Sequence, residues 1–496
     1  MGMPDFTVVY DKRKPNPNLQ EFLQQVQNVV GEENFTQKKA DIIAYSRDYV
    51  LLTTRWTVEK KLGGLPDAIC WPTTEEQVVQ LVKLANEFLV PLTPMGSASG
   101  VVGAALPWYG GLVVDIKKMD QILEINDENL TVTCQVGING ANIERYLNEK
   151  GYIMGHIPQS VRTSTVAGYI AMKAAGQFSG KYGKFEDIVL SLRAVMPTGE
   201  VIQSKNYPRS STGPQFDRLL VGSEGTLGIV TEATMKIWPQ PEKQGLVSYA
   251  FNKIQESLDA IRLIYRNQVF PAVIRIYDHV ETARHFSNEK KANKRAMVIF
   301  VCEGPADLVD LEIKVTAKFC EQCNGVACGE GPVHHWFETR FDVKESSKYT
   351  PLDVVFDTVE MAAMWDHAYD MYESVIAEMR QVPGCIVASG HASHFYPQGV
   401  CWYFTFGGAP EIQDQFPEFH QAMWDAAMRG CLKAHGTISH HHGIGIIRSK
   451  WMEKEWTGPD MEMARRIKKV LDPNNIMNPG KLYGADFDYN PEDAAQ

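Results

Sequence analysis

Three segments between residues 91 and 237 are built largely from small residues, and each stands where a strand-like run meets a helix-like one. They read PLTPMGSASGVVGA (91–104), IPQSVRTSTVAGYIAMKAAGQFSGKYG (157–183) and GSEGTLGIVTEATMKI (222–237). Small residues leave the backbone bare, so a ligand can approach its peptide groups closely. In the first segment, a strand-like run ending in Pro94 and Met95 leads into Gly96, Ser97, Ala98 and Ser99, whose successive N–H groups suit a pyrophosphate. In the second, Thr165, Gly168, Ala171, Ala174 and Gly176 run across a predicted helix start and offer a flat face to a ring; Ser160, Thr163, Tyr182 and Gly183 flank it. In the third, Glu224, Gly225, Thr226 and Gly228 make a turn before Ile229 and Val230, with peptide groups free to read a base. The glycine spacing is not G-x-G-x-x-G and no ribose-binding acid follows, which argues against the common dinucleotide fold.

Helical and β-branched runs alternate around these segments, which implies an α+β domain. The pattern LQEFLQQVQNVV predicts a helix that stops at Gly31, and Thr74 before two glutamates predicts a helix N-cap. At 496 residues the chain exceeds one ordinary core. Pro239-Gln-Pro241 marks the boundary. The expected organisation is 1–240 (core about 62–240), a second α+β domain at 241–438 with an antiparallel sheet and helices on one side, and a closing segment 439–496. Lys plus Arg total 49 against 60 Asp plus Glu, a net charge of −11, so nucleic acid is not the expected partner. Nine cysteines argue against a secreted disulfide framework. Cys320, Cys323 and Cys328 lack an obvious fourth metal ligand and read as inert thiols. There is no apolar leader, no 18-residue apolar stretch and no peroxisomal tripeptide in PEDAAQ, so a cytoplasmic location and no transmembrane segment are expected.

Candidate chemistry lies in the second half. His440, His441 and His442 precede a glycine turn, and neutral imidazole accepts a proton near pH 7. Consecutive side chains diverge, so at most two of the three should line one site. His391 and His394 are three apart and could converge on one face of a turn; with His441 they form a candidate set for a divalent metal. Alternation in CWYFTFGG puts Tyr403 and Thr405 opposite Trp402, Phe404 and Phe406. Arg275 and Arg340 are candidate anion clamps.

Taken as a set, the small-residue segments resemble the FAD-binding domain of the vanillyl-alcohol oxidase or p-cresol methylhydroxylase (PCMH) type. PMGSASG resembles the family's diphosphate loop, TSTVAGYIAMKAAG with SGKYG its flavin-facing segment, and GSEGTLGIVTEATMKI its FAD-linked oxidase signature. LDPNNIMNPGKLY resembles the family's closing segment and adds Asn478 to the cofactor candidates. The resemblance implies an FAD domain with two subdomains, a cap over the isoalloxazine, and FAD held without a covalent bond, since no His stands in the diphosphate loop. Two branches compete. PRSSTGPQFDRLLVGSEGTLGIVTEA and GTISHHHGIG are similar to alkyl-dihydroxyacetone-phosphate synthases, and Tyr403 and Arg275 match site residues of that pattern. SGHASHFYPQG sits where FAD-linked D-lactate and glycolate dehydrogenases hold a divalent metal, but Gln398 falls near their second His, and His441 stands where they have an acid. The expected activity is hydride transfer from a small hydroxylated substrate (a 2-hydroxy acid, alcohol or alkylphenol) to flavin N5. Electrons would then go to an acceptor that could be an electron-transfer protein, and the chain could pair as a homodimer. The alternatives are ether-bond synthesis without net redox, and a non-catalytic flavin-binding subunit.

Overall fold

The computed structural model describes residues 7–9, 12–342, 349, 352–412 and 415–484. The amino-terminal helix α1 (Leu19–Val30) buries Phe22, Leu23, Val26 and Val30 and stops at Gly31, whose φ is +85°. Helix α2 (Glu75–Phe88) starts as its sequence predicts, with the Thr74 hydroxyl accepting from Gln77 N at 3.3 Å.

Two larger sheets organise the first domain, beside two short two-stranded pairings. Strands β1 (Phe35–Thr36), β2 (Ala68–Cys70), β3 (Leu92–Met95) and β4 (Leu112–Asp115) pair in the order β1-β2-β4-β3. The pairings β2–β4 and β3–β4 are parallel, with α2 as the crossover from β2 to β3. Strands β5 (Ile122–Asn126), β6 (Thr131–Gln135), β7 (Val189–Val195), β8 (Val201–Gln203) and β9 (Ile229–Lys236) form an antiparallel sheet in the order β8-β7-β9-β6-β5. One apolar core, including Val78, Leu112, Val132, Phe185 and Ile229, joins both sheets. Helix α3 (Val166–Met172) lies within the second small-residue segment and is capped by the Thr165 hydroxyl. The free edge of β3 is closed by the far end of the chain: Leu92 N donates to Ile476 O at 2.7 Å and Asn478 N to Leu92 O at 2.8 Å. The first small-residue loop therefore leaves the carboxyl end of a parallel strand, where ligands collect in open α/β sheets, with Asn478 beside it.

The second domain is a seven-stranded antiparallel sheet. Its strands are β10 (Lys243–Phe251), β11 (Val273–Tyr277), β12 (Ala296–Gly304), β13 (Val326–Ala327), β14 (Val355–Met364), β15 (Cys385–Tyr396) and β16 (Gly399–Gly408), in the order β13-β10-β12-β11-β15-β16-β14. Helices α4 (Ile254–Arg266), α5 (Ala306–Gln322), α7 (Ala368–Arg380) and α8 (Phe416–Lys433) feed the core that includes Phe300, Val359, Trp402, Phe404 and Phe406. The expectation of helices on one side is corrected by α6 (Gly331–Thr339). Its Val333 and Trp336 join a separate cluster with Val273, Tyr277, Met297 and Ile299, the alternate residues of the same strands, and with Phe178 and Tyr182 of the first domain. Alternation thus divides the sheet into an apolar face under the four helices and a second face turned toward the first domain. The last helix is α9 (Gly458–Leu471). Among the described residues no helix is long and apolar enough to cross a membrane.

His156 marks how dry the first domain is near the second segment. It is fully buried, its ring 4.3 Å from Tyr169 and 4.9 Å from Phe185. Neither nitrogen has a hydrogen-bond partner among the described residues. Burial pushes its pKa down to about 3. A depressed histidine contributes stability above its ordinary value near 6.5 and loses it as pH falls toward 3. His156→Phe should therefore be less acid-sensitive than the parent. The unfolding free energy lost between pH 8 and pH 5 should shrink by about 2 kcal/mol, measured by denaturant titration at both pH values.

Candidate functional site

The three small-residue segments meet in one place. A Cβ added at Gly96 would lie 2.3 Å from the Thr165 hydroxyl, and one at Gly225 would lie 3.3 Å from the Pro94 ring. Asn478 Nδ2 donates to Ala104 O at 2.9 Å and to Glu224 O at 2.7 Å, tying the first segment to the third. Ala98 has φ +50°, and among the described residues the N–H groups of Ser97, Ala98 and Ser99 have no partner. Gly168, Ala171 and Ala174 are half-buried and leave a side-chain-poor face beside that loop. Asn478 Oδ1 is buried without a partner. Free N–H donors, a bare face and an orphaned acceptor suit a diphosphate bearing a flat ring. Some expected contacts have other work. Met95, Thr226 and Ile229 face the core, and the Thr226 hydroxyl is bonded to Ser223 O at 2.7 Å. Thr163 is exposed, and Ser160 O accepts from its hydroxyl at 3.0 Å. Gly176 and Gly183 are needed for space, since a Cβ would meet Ile157 N at 2.6 Å and the Asp187 side chain at 2.7 Å respectively. Gly228 and Val230 lead into β9, where Ala194 pairs with Val230. The Tyr182 hydroxyl reaches into the second domain, donating to Glu303 Oε1 at 2.7 Å.

The facing side of the second sheet carries the chemistry. On β16, Tyr403 lies opposite the Trp402–Phe404 face, as alternation predicts, and pairs with His391 of β15. Their rings stack at 4.9 Å, tilted by 8°. His394 would point the other way in a regular strand. A register shift between Ala392 and His394 inserts one residue, so His394 pairs with Cys401 and shares the face of His391. The histidines converge through a strand bulge rather than a turn.

The Tyr403 hydroxyl is 2.6 Å from His441 Nε2, and His441 Nδ1 is 2.9 Å from His440 Nδ1. All three consecutive histidines enter the cluster, against the expectation of two. His442 lies 5.6 Å from the Tyr403 ring, and His440 stacks on His394 at 5.3 Å. The segment escapes strict alternation because it is an irregular turn after α8, bridged to β14 by Thr437 and Ala362, and not a strand. Burial pushes His440 and His441 well below the ordinary histidine value, with Lys184 and neighbouring imidazoles adding to the shift; burial also raises Tyr403 well above the ordinary phenol value. Neutral imidazoles carry one N–H each, so the arrangement with Tyr403 donating to His441 has His441 donating to His440. His440 Nε2 is then a buried N–H with no partner among the described residues.

Behind the turn sits Glu360 of β14, fully buried. It accepts from His440 N at 2.6 Å, His442 N at 2.9 Å and the buried Arg448 guanidinium at 2.8 Å. Burial alone would raise its carboxyl; Arg448 reverses this and holds it near 2, as a carboxylate. Neither Glu360 nor Arg448 stood out in the sequence. The available signal was an acid within the apolar run VEMAAM and a lone arginine after HHHGIG.

The expected metal set is not assembled. His394 Nδ1 is 2.9 Å from the Ser179 hydroxyl, and His391 is stacked on Tyr403, away from any shared point with His441. Among the described residues the one group close enough to share an ion is Glu360, Cys401, His440 and His441. Its carboxylate is already taken by Arg448 and two amides, and both His441 nitrogens are engaged. That donor set does not suit a divalent cation.

Arg275 and Arg340 flank one indole, at 5.9 and 5.2 Å from Trp336. Arg275 donates to the Tyr277 hydroxyl at 2.8 Å, and Tyr277 stacks on His391 at 5.9 Å. Arg340 donates to Gln177 of the second segment at 3.1 Å, and its buried Nε has no partner. Neither arginine has a carboxylate within ion-pair distance among the described residues. Burial lowers Arg340 to about 10, which leaves it a cation at neutral pH.

A cradle of bare backbone facing a sheet that carries buried imidazoles and Arg275, with Arg340 at the end of α6 beside it, defines a two-domain cofactor enzyme. Residues 66–205 match an FAD binding domain, and residues 240–482 match the C-terminal domain of FAD linked oxidases. The chain belongs to the FAD-linked oxidase family; it is an enzyme and its cofactor is FAD. It is 32% identical over 460 residues to an alkyldihydroxyacetonephosphate synthase of Dictyostelium discoideum, covering 85% of this chain and 74% of that one. It is 27% identical over 480 residues to the glycolate oxidase subunit GlcD of Bacillus subtilis (strain 168), covering 93% and 97% respectively. Its fold matches a crystal structure of p-cresol methylhydroxylase with a TM-score of 0.78 over 97% of this chain and 99% of that one, at 16% identity. The architecture is thus of the PCMH type, as its small-residue segments suggested.

Removing Arg448 would leave the Glu360 carboxylate buried beside fewer donors. Arg448→Met should cost about 3–5 kcal/mol in unfolding free energy, measured by denaturant titration. A loss below 1 kcal/mol would show that the pair is not the anchor of the turn.

Proposed function

We propose that the chain oxidises a small hydroxylated anion of the 2-hydroxy-acid class, using non-covalently held FAD. The observation that carries this reading is the 2.6 Å contact between Tyr403 and a neutral His441, on the sheet face that also bears Arg275, with Arg340 at the end of α6 beside it. When bound, FAD supplies a two-electron acceptor. The guanidinium forks hold the substrate carboxylate and orient the carbinol carbon. The substrate hydroxyl proton passes to the Tyr403 oxygen as the phenol proton moves to His441 and the His441 Nδ1 proton moves to His440. Glu360 remains a carboxylate and balances the positive charge left on the imidazoles. Closure of the two domains around the site excludes water. Electrons then leave to an acceptor, for which an electron-transfer protein is one class.

A second reading is favoured by the 32% identity to an alkyldihydroxyacetonephosphate synthase and by the lack, among the described residues, of a suitable metal donor set beside the histidine turn. In it the arginines would hold a phosphate, and the same phenol and imidazoles would move protons without net redox. Anaerobic titration of the purified chain with 2-hydroxy acids, alkylphenols and acyl ketone phosphates separates the two. Bleaching of the oxidised flavin band by a 2-hydroxy acid supports the first reading. Release of a fatty acid only when an acyl ketone phosphate meets a long-chain alcohol supports the second and sinks the first.

Two outcomes follow for the proton path. His441→Ala and Tyr403→Phe should keep flavin bound while slowing its reduction by about 10²–10⁴-fold. Because burial keeps the imidazoles neutral as pH falls, the reduction rate should stay level from pH 8 through the ordinary histidine value and drop only in stronger acid. A decline centred on that ordinary value would exclude the buried histidines as the proton acceptor.

A further inference from the structure

The histidine turn is gripped from two sides. Glu360 holds it from the second domain; the other grip comes from Glu224, in the third small-residue segment of the first domain. Glu224 is 5% exposed, and its Oε1 accepts from Ile444 N at 2.6 Å while its Oε2 accepts from Gly445 N at 2.9 Å. Both oxygens are therefore spent on the turn. Its own N–H donates to Ala171 O at 3.0 Å, and its carbonyl accepts from Asn478 Nδ2 at 2.7 Å. The residue has φ +53°, a conformation that non-glycine residues adopt only under tertiary constraint. Across the contact, Gly443 has φ +82°, and a Cβ there would lie 2.8 Å from Glu224 Oε1 and 2.3 Å from Met172 Cε. No Lys, Arg or His lies within ion-pair distance of the carboxylate among the described residues, so its burial is offset by the two amide bonds, with Lys481 and Arg448 acting from farther away.

We propose that Glu224 is a positioning residue: its carboxylate sets the place of the turn 439–445, and with it His440 and His441, relative to the FAD-binding domain. An acid in a glycine-rich cofactor turn invites the reading that it touches the cofactor, but here the oxygens point into the protein and clasp the turn that follows the imidazoles. The two buried carboxylates, one per domain, suspend the turn between the cradle and the sheet. The functional consequence rests on the reading of the turn as proton acceptor; the clasp itself does not.

Glu224→Gln keeps the shape but turns one acceptor into an NH₂ group facing an amide N–H. Three measurements on the flavin-loaded chain decide the matter: flavin per chain, hydrogen exchange of a peptide spanning 439–448, and the rate of flavin reduction by 2-hydroxy acids. The expected result is flavin content within about twofold of the parent, exchange of the Ile444 and Gly445 amides faster by about 10-fold or more, and reduction slower by about 10²-fold with a KM changed by less than about threefold. Unchanged exchange at those amides overturns the proposal, and so does loss of flavin with exchange intact, which would make Glu224 a cofactor contact. If Glu224→Gln does not fold, Glu224→Asp, which keeps the charge but withdraws the oxygens by one methylene, is judged by the same exchange criterion. Should the parent bind no flavin, or no 2-hydroxy acid reduce it, the functional reading above fails while the exchange measurement still decides the clasp.

Discussion

The buried pair between Glu360 and Arg448 is the constraint on which the rest of the site depends. An unpaired carboxylate at that depth would have to take up a proton, and a protonated Glu360 would be a poorer acceptor for the two backbone amides and the guanidinium it now holds. With Arg448 in place the carboxylate is fixed in charge and position, and the amides of His440 and His442 are fixed with it. Three adjacent imidazoles, which a regular element would scatter, are thereby held in one cluster, His441 and His442 against Tyr403 and His440 against His394. The same fixed negative charge lies beside a cluster of imidazoles that burial keeps neutral.

The second sheet divides its labour by pleat. Residues on one face are apolar and bury themselves under four helices; those on the other supply Arg275, Tyr277, His391, Tyr403 and Glu360. Strict alternation alone would have placed His394 on the wrong face. One inserted residue in β15 corrects this, as bulges beside functional sites commonly do by re-aiming a side chain. The first domain answers with the opposite strategy. There the segments that face the sheet have shed their side chains, so peptide groups and small methyl surfaces are what a cofactor would meet.

Much of this was legible along the chain. Period-two and period-3.6 patterns marked α1, α2, β9 and β16 and assigned Tyr403 its face, because local periodicity is a property of the backbone itself. The three small-residue segments marked where backbone lies bare, and their resemblance as a set to a known FAD-binding domain gave the cofactor class. Less was legible where residues act at a distance. Glu360, Arg448 and Ser179 looked ordinary, since their partners lie 88, 88 and 215 positions away. The proposed metal set failed for the same reason: spacing made His391 and His394 neighbours, but could not show that one would stack on Tyr403 and the other bond Ser179.

The sequence by itself determined the family and, through that resemblance, the cofactor, because the motifs that carry it are contiguous; local periodicity added the α+β plan. Only the tertiary structure decided which imidazoles touch, which protonation states they keep, and that Glu224 spends its charge on a backbone turn. Those outcomes depend on burial and on partners brought from far along the chain, and neither quantity exists until the two domains have closed on each other.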